Sequence, residues 1–306
     1  MPVDYSVSVL LPTRGRPDSA RRFMKSALDL ASRPDEVEVV LCVDDDDPAS
    51  HDLDQPGLSV TRLIGPRRSM GSYNSECLKA SSGKVVLLAN DDMVIRTRGW
   101  DGVIRDLDAR FPDGVYLGYG NDLFKGARVC TFPILSRIAC DIVGDPFPVE
   151  YQGAFIDTHL MDIFKRLERI GETRLVYLEH LILEHMHYRT GKSQKDKTYT
   201  DRNRFGDDEV FLRLRNRRSA AMHALADAIA SFKGGKGPSP VSSKISVAPA
   251  DAARLAQFFP LAYARIFLLD HELTRGWRVS LFLSFCARHI ASRILAKFSR
   301  PAAGRA

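Results

Sequence analysis

The residues best able to do chemistry are acids that directly follow apolar runs. In "KVVLLANDDMVI", Asn90, Asp91 and Asp92 come after five apolar or small residues, and Asp44 and Asp45 begin an acidic group after "EVEVVLCV". Paired carboxylates can hold a hard divalent cation, and Mg²⁺ or Mn²⁺ bound in this way keeps positions open for substrate phosphates. The structural alternative is that Asp and Asn are common in turns, where they bond their own backbone.

Two further loops supply arginine. "PTRGRP" carries Thr13 and Arg14 after the first apolar run, and "PRRSMGS" places Arg68 just before a helical segment. Guanidinium groups make planar, bidentate contacts with phosphate, and the amides at a helix N-terminus favour anions. Taken singly, each arginine would be a solvated surface charge. The acidic and arginine loops together predict a site for a nucleoside diphosphate and a metal.

The segments that must position these residues alternate between strands and helices. The apolar runs lack polar alternation, which is typical of strands covered on both faces of a parallel sheet. Strands are predicted at 7–13, 36–48, 58–65 and 85–89, and helices at 19–31 and 71–83. This alternation predicts an α/β fold with a mostly parallel sheet flanked by helices. Ligands bind at the C-terminal edge of such a sheet, where the acids and arginines would meet.

The order and spacing of these motifs resemble the nucleotide-binding half of family-two glycosyltransferases of the GT-A fold. The resemblance is carried by "VSVLLPTRGRP", "VVLCVDDDDP" and "RRSMGSYNSECLKASSGKVVLLANDDM", and it covers roughly residues 1–100. It implies a GT-A-type fold with a Rossmann-like nucleotide-binding half, a nucleoside-diphosphate sugar donor, and Mn²⁺ or Mg²⁺ as the cofactor. It also implies that Asp44 or Asp45 contacts the base.

The same resemblance implies that a D-x-D-type motif after the fourth strand binds the ribose and the metal. This chain departs from that pattern, because Asn90 replaces the first aspartate of the motif. The metal is therefore assigned to Asp92, and the ribose contact to Asn90 or Asp91.

The acceptor half contains "YQGAFIDTHLMDIF", at the place where the family carries a carboxylate at the start of a helix. An inverting transfer needs a general base within reach of the acceptor hydroxyl. Asp157 is the predicted base, and its structural alternative is an N-cap for a helix over 158–170. Asp162 is the rival base, interpreted instead as a solvated helix residue or a surface partner of Arg166, four residues on.

Two histidines extend the predicted metal site. If "TRLVYLEHLILEHMH" is a strand, His185 and His187 point to the same face. The resemblance implies that one of them joins Asp92 on the cation, whereas a packed or surface histidine is the structural alternative. The polar segment that follows is predicted to be a lid with Lys192 or Lys195 near phosphate; a long surface loop is the alternative.

The chain divides into a catalytic domain and a tail. A glycosyltransferase domain is predicted over residues 1–232, with a nucleotide-binding half at 1–100 and an acceptor half at 101–232. The Gly, Pro and Ser-rich stretch "KGGKGPSPVSSKISVAPA" predicts a linker at 233–250, and a basic helical tail follows at 251–306.

The tail carries the charge of the protein. Residues 271–306 hold seven basic residues and one acid, which accounts for the whole net charge of +6. Because the remainder is neutral, no nucleic-acid partner is predicted. A basic amphipathic helix can lie on anionic lipid. It can equally pack on the catalytic domain or form a homodimer, and these two arrangements are favoured over membrane contact unless the acceptor is lipid-linked.

Cysteine usage and the N-terminus bear on location. Five scattered cysteines without a C-x-x-C pair indicate neither a zinc ribbon nor a disulfide framework, and so favour a reducing compartment. No signal peptide and no apolar stretch long enough to span a bilayer is found. The expected location is cytoplasmic, with peripheral contact at the inner face of the membrane as the alternative.

The predicted function is a metal-dependent, inverting glycosyltransferase of the hexosyl class, acting in polysaccharide or glycoconjugate biosynthesis on a glycan or lipid-linked acceptor. A nucleotidyltransferase is one alternative, although it would need a glycine-rich loop where "PTRGRPDS" has only Gly15. A non-catalytic nucleotide- or sugar-binding module is the other, suggested by the asparagine at position 90.

Overall fold

A computed structural model describes residues 5–193, 205–235 and 259–298. The strands within these residues are β1 (Val7–Thr13), β2 (Val37–Asp44), β3 (Ser59–Gly65), β4 (Val85–Leu88), β5 (Met93–Ile95), β6 (Leu117–Asn121), β7 (Pro133–Ser136) and β8 (Leu175–His185). They form a curled sheet in the order β3-β2-β1-β4-β7-β6-β8-β5. Neighbours from β3 to β4 run parallel, as do β6 and β8, whereas β7 and β5 are antiparallel to their partners.

Helices cover both faces of the sheet. They are α1 (Pro17–Leu30), α2 (Met70–Ala80), α3 (Trp100–Ala109), α4 (Arg137–Val143), α5 (Ile156–Arg169), α6 (Gly206–Arg213), α7 (Arg215–Lys233) and α8 (Arg275–Phe298). A helical turn, Leu261–Tyr263, continues into a π-helical turn, Ala264–Leu268. The predicted α/β fold with a mostly parallel, helix-flanked sheet is confirmed.

Strand β1 shows why the sheet is buried on both sides. Val9 and Leu11 lie in one hydrophobic cluster with Phe23 of α1 and Trp100 of α3, while Leu10 lies in the cluster on the other face. Successive side chains of a strand point to opposite faces, so a strand covered on both faces carries apolar residues at consecutive positions, as Val9, Leu10 and Leu11 do. Every residue of β1 is buried.

The register of the central strands brings the predicted loops to one edge. Leu10 of β1 pairs with Leu88 of β4, which puts Asp91, three residues further on, level with Thr13 at the end of β1. Strand β2 runs parallel beside β1 and ends at Asp44. The acids predicted from two separate apolar runs therefore share the C-terminal edge of the sheet.

The described part of the C-terminal tail packs on α5. Leu281 and Phe285 of α8 belong to the hydrophobic cluster that contains Leu160 and Phe164 of α5. The predicted linker lies almost entirely outside the described residues and stays a prediction. Among the helices that the structure describes, none combines the length and apolar character needed to cross a bilayer.

Asp101 joins α3 to the turn after α1. Its carboxylate accepts hydrogen bonds from the backbone N–H of Ser32 at 2.7 Å, the backbone N–H of Arg33 at 2.9 Å and the Arg105 guanidinium at 2.8 Å. Burial acts to raise the pKa of Asp101, but these donors outweigh it and lower the pKa to about 2. The ionised carboxylate therefore stabilises this junction.

Asp101→Asn is expected to lower the free energy of unfolding by about 1–3 kcal/mol at neutral pH, because an amide cannot accept all of these bonds. A lowered folded-state pKa gives stability that is present above the unfolded pKa of about 4. The difference from the parent should therefore shrink as the pH falls below that value and vanish below about pH 2. Urea unfolding across this range measures it. Asp106→Asn, on the exposed face of the same helix, is the control; an equal loss in both variants would contradict the assignment.

Candidate functional site

Asp91 lies at the centre of the sheet edge. It is 6% exposed; its Oδ2 accepts a hydrogen bond from the Thr13 hydroxyl at 2.9 Å, and its Oδ1 pairs with Arg16 at 3.1 Å. Burial raises the pKa of Asp91 to about 6, and the neighbouring Asp92 acts in the same direction. Arg16 and Thr13 oppose that rise. The loop after β1 is thus fastened to the loop after β4.

Asp44 organises the second part of the edge. Its carboxylate is fully buried and contacts both the Arg14 guanidinium and the Tyr73 hydroxyl. Burial and the contact with Asp44 raise the pKa of Tyr73 to about 12, so this hydroxyl stays protonated and donates. Asp45 is exposed, with its backbone N–H bonded to the Gly65 carbonyl at 2.8 Å. Of the two candidates for the base contact, Asp45 is the accessible one.

Arg68 joins the same group through α2. Its backbone N–H donates to the Tyr73 hydroxyl at 2.9 Å, and its side chain lies against Gly65, where a Cβ would stand 2.7 Å from the guanidinium. Gly65 ends β3 beside the end of β2. The predicted nucleotide-binding residues of three loops are therefore brought together, and Tyr73, which the sequence did not single out, joins them.

Asp92 and His185 meet across the β5–β8 pair. His185 Nε2 lies 3.3 Å from Asp92 Oδ2, and the backbone N–H of Met186 donates to the Asp92 carbonyl at 2.7 Å. Both side chains are about nine-tenths buried. The His185 ring packs edge-on against Phe132, with ring centroids 5.4 Å apart. Asn90 is half-buried on the preceding turn, and its carbonyl accepts from the Met93 N–H at 3.0 Å.

His187 is placed differently from His185. Strand β8 ends at His185, and His187 begins a 3₁₀ turn in which its Nδ1 accepts a hydrogen bond from the backbone N–H of Arg189 at 3.1 Å. Burial and the neighbouring His185 lower the pKa of His187 to about 4, so the ring is neutral near pH 7. A neutral ring with Nδ1 as acceptor carries its proton on Nε2. This leaves His185 the better placed of the two for a cation.

Asp92 and His185 fit a cation whose other coordination positions are filled by substrate and water. Across residues 5–193, 205–235 and 259–298, no group of three or more His, Cys, Asp or Glu side chains is arranged to hold a metal. Mg²⁺-type sites commonly use one or two protein carboxylates, with substrate phosphates and water filling the other positions. One carboxylate and one imidazole nitrogen, brought together within 3.3 Å, meet that requirement.

Asp157 stands in the first turn of α5. The N-cap of the helix is Phe155, so the prediction that Asp157 is the N-cap is wrong. Asp157 lies two residues further on, and its Oδ1 accepts a hydrogen bond from the backbone N–H of Thr158 at 2.6 Å. Phe155 has a positive φ of 67°, which turns the chain sharply into the helix. The Asp157 side chain is half-buried.

A carboxylate from α6 holds the loop before Asp157. Asp207 is 2% exposed and accepts hydrogen bonds from the backbone N–H groups of Gln152, Gly153 and Ala154 at 2.9, 3.0 and 2.7 Å. The acids of "GDDEVF" signal a helix start, but no local pattern could identify a partner more than fifty residues away. Asp207 is thus a site residue that the sequence did not reveal.

The segment 130–132 contacts both Asp157 and His185. Cys130 Sγ lies 3.0 Å from the Asp157 carbonyl, and Phe132 packs on His185. Two residue steps span about 7 Å of extended chain. Asp157 and His185 are 28 positions apart in sequence, but both contact the short segment 130–132.

Asp162 is not the solvated residue that its helical position predicts. The pairing with Arg166 exists, at 3.0 Å, but both groups are buried, and Asp162 also accepts from Arg218 at 2.7 Å and from the Trp277 indole N–H at 2.8 Å. The surface interpretation is wrong because α7 and α8 cover this face of α5. A fully buried carboxylate with three donors is unsuited to serve as the rival base.

The predicted lid lies mostly outside the described residues, including Lys195. Lys192 is described, and its Nζ bonds to Glu184 at 2.6 Å; Arg96 contacts the other oxygen of that carboxylate at 2.6 Å. Lys192 is therefore held in an ion pair by Glu184, the residue before His185. Its predicted contact with phosphate would require this ion pair to open.

No protein-family model matches the sequence, and a search of curated proteins gives no match. Among solved structures, the chain is similar to TarS of S. aureus, a GT-A glycosyltransferase, with a TM-score of 0.51 and 13% identity. The alignment covers 93% of this chain and 54% of that one, so the chain spans about half the length of TarS.

Two further solved structures are similar at lower scores. The mannosyltransferase PcManGT from Pyrobaculum calidifontis, in complex with GDP-Man and Mn²⁺, gives a TM-score of 0.46 at 14% identity, over 94% of this chain and 87% of that one. Glucosyl-3-phosphoglycerate synthase from Mycobacterium tuberculosis, in complex with Mn²⁺, UDP and phosphoglyceric acid, gives 0.45 at 15% identity, over 70% and 78%. At 13% identity the likeness to TarS concerns the fold alone, and the predicted GT-A fold is confirmed.

Proposed function

We propose that this chain is a metal-dependent glycosyltransferase that moves a sugar from a nucleoside diphosphate to an acceptor hydroxyl with inversion. The observation that carries the proposal is the meeting of Asp92 and His185 at 3.3 Å, on the sheet edge where Thr13 fastens Asp91. Asp92 and His185 are close enough to bind one cation, and the buried Asp91 carboxylate lies beside them. This arrangement suits a metal ion that also binds the phosphates of a substrate. The GT-A fold supports it.

The donor would lie across the loops after β1, β2, β3 and β4. Asp45 is assigned to the base, and Asn90 or Asp91 to the ribose. Arg68 is assigned to the diphosphate, since the structure gives its guanidinium no hydrogen-bond or ion-pair partner among the described residues. Thr13 and Arg14 act by fixing Asp91 and Asp44. Asp92 and His185 would hold Mn²⁺ or Mg²⁺, which offsets negative charge on the diphosphate when bound.

Asp157 is assigned as the general base. Its carboxylate would take the proton of the acceptor hydroxyl while that oxygen attacks the anomeric carbon, on the face opposite the diphosphate. The bond from the anomeric carbon to the phosphate oxygen breaks, and the nucleoside diphosphate leaves with the bonding electrons. Asp207 supports the base by holding residues 152–154 through three backbone N–H groups.

The nucleotidyltransferase alternative gains no support from the loop after β1. A phosphate-binding loop needs free backbone N–H groups, but the N–H of Gly15 donates to Asp47 at 2.6 Å. The non-catalytic alternative makes a clear prediction instead: nucleotide binding without any release of nucleoside diphosphate from a donor.

Titration calorimetry with a panel of nucleoside diphosphates, each with and without Mn²⁺, tests the donor site. One nucleotide is expected to bind, and Mn²⁺ should increase its affinity. Asp92→Ala should weaken the Mn²⁺-dependent binding by about tenfold to a hundredfold, as loss of a metal-site group commonly does. Asp52→Ala removes an exposed aspartate elsewhere and should change nothing.

The same titration separates the two histidines. His185→Ala should remove much of the increase that Mn²⁺ produces, whereas His187→Ala should retain most of it. A reversed order would contradict the assignment of His185. The absence of binding by every nucleotide, with and without Mn²⁺, would overturn the donor site itself.

A further inference from the structure

Helix α8 exposes a continuous apolar stripe. Four of its apolar side chains are about half exposed: Val279 (48%), Leu283 (59%), Ile290 (50%) and Ile294 (49%). At 3.6 residues per turn, these four positions fall within an arc of about 60°. Single exposed apolar residues are ordinary on protein surfaces, but an aligned series on one helix marks an interaction surface.

The opposite side of α8 already packs on the protein. Leu281 and Phe285 are 3% and 1% exposed and lie in the main hydrophobic cluster, and Trp277 donates to the buried Asp162. The apolar stripe is therefore additional to the surface that this helix needs for packing. Leu269, on the turn before the helix, is also 63% exposed.

The charge of α8 is of one sign. Its sequence contains five basic residues and no Asp or Glu. Two of them are used internally, since Arg288 binds Asp208 and Arg278 bonds the Leu273 carbonyl at 2.9 Å. Arg275 and Arg293 are exposed, and on the helix they lie about 40° to one side of the stripe. Long basic side chains at that position can reach a charged surface while the apolar residues enter a less polar layer.

A basic cleft adjoins the N-terminal end of the stripe. A cavity of about 350 Å³ is lined by Arg169, Arg275 and Arg278, together with Glu168 and Thr274. Three guanidiniums against one carboxylate give this cleft a net positive charge. An anionic headgroup would be attracted to the same end of the helix.

We propose that the exposed stripe of α8, flanked by Arg275 and Arg293, binds an anionic lipid surface. Apolar side chains beside arginines, without intervening acids, match the interface of such a membrane. A second copy of the chain fits less well, because pairing two acid-free basic helices would bring like charges together. This proposal does not depend on glycosyl transfer, and vesicle binding can be measured without a donor.

Flotation of the full-length protein with vesicles tests the proposal. Binding is expected to vesicles with about one third anionic lipid, and little to neutral phosphatidylcholine vesicles. Arg275→Gln and Arg293→Gln should each lower binding about fivefold. Leu283→Ser combined with Ile290→Ser should lower it about a hundredfold, because both side chains lose apolar burial.

Ile64→Ser is the matched control, since Ile64 is 50% exposed on the edge strand β3. It should bind vesicles like the parent, and unchanged thermal unfolding should show that the α8 variants are folded. Equal binding by the parent and the double variant would overturn the proposal, as would the absence of binding to anionic vesicles. A dimer in solution that Leu283→Ser dissociates, without vesicle binding, would assign the stripe to a second copy instead.

Discussion

Replacing Asp157 with asparagine is expected to slow sugar transfer by about a hundredfold to ten-thousandfold, the usual contribution of a general base. Asparagine keeps an oxygen that can accept from the backbone N–H of Thr158, as Asp157 does at 2.6 Å. The start of α5 should therefore be preserved while the ability to take a proton is lost. The measurement is the rate of nucleoside diphosphate release from the donor that titration identifies.

Nucleotide affinity distinguishes a lost base from a damaged site. Asp157→Asn should bind the nucleoside diphosphate with parental affinity, because the assigned donor contacts lie on other loops. Asp141→Asn, exposed on α4, should keep both affinity and rate. A parental rate in Asp157→Asn would show that the base lies elsewhere, and no release from any donor by the parent would favour a binding module.

The second large effect is on stability and follows from Asp162. Asp162→Asn is expected to lower the free energy of unfolding by about 3–5 kcal/mol, which is the usual cost of removing one partner of a buried ion pair. Arg166 would keep Asp270 and Glu272. Arg218, which is 1% exposed, contacts no other carboxylate within the described residues, so its charge would be left buried and uncompensated.

The pH dependence of this effect has a definite sign. Burial alone would raise the pKa of Asp162, but Arg166 and Arg218 outweigh it and hold the pKa well below its usual range. The stabilisation is therefore present above the ordinary aspartate pKa and is lost as the pH falls below it. Denaturant unfolding at neutral and acidic pH measures both. Asp227→Asn, exposed on α7, is the control, and a loss below about 1 kcal/mol in Asp162→Asn would contradict the buried network.

Local patterns predicted the strands and the edge acids because their causes are local. Val7–Thr13 and Ser59–Gly65 match the predicted strands within one residue. For the first of them the local cause is the consecutive apolar residues Val9, Leu10 and Leu11. The parallel pairing of β1 with β4 puts Asp91, three residues beyond the end of β4, level with Thr13, at the sheet edge where the edge acids were predicted.

The contacts that the sequence did not predict are those made over long separations. The spacing of Asp162 and Arg166 indicated their pairing, but their burial depends on Trp277, which lies 115 residues away. Tyr73 reaches Asp44 across 29 residues, and no periodicity marks it. Strict alternation made His185 and His187 equivalent, whereas in the structure β8 ends at His185 and His187 lies beyond it.

The contacts of the tail bear on how this protein could have evolved. Trp277 donates to the buried Asp162 of α5, and Asp270 pairs with Arg166 of α5 and Arg215 of α7. Arg288 lies over the ring of Phe155 at 4.8 Å, two residues before Asp157. A tail joined to a different domain by recombination would lack these partners. Among relatives, we expect the residues corresponding to Asp162, Arg218 and Trp277 to covary, so that α5, α7 and the tail are inherited together.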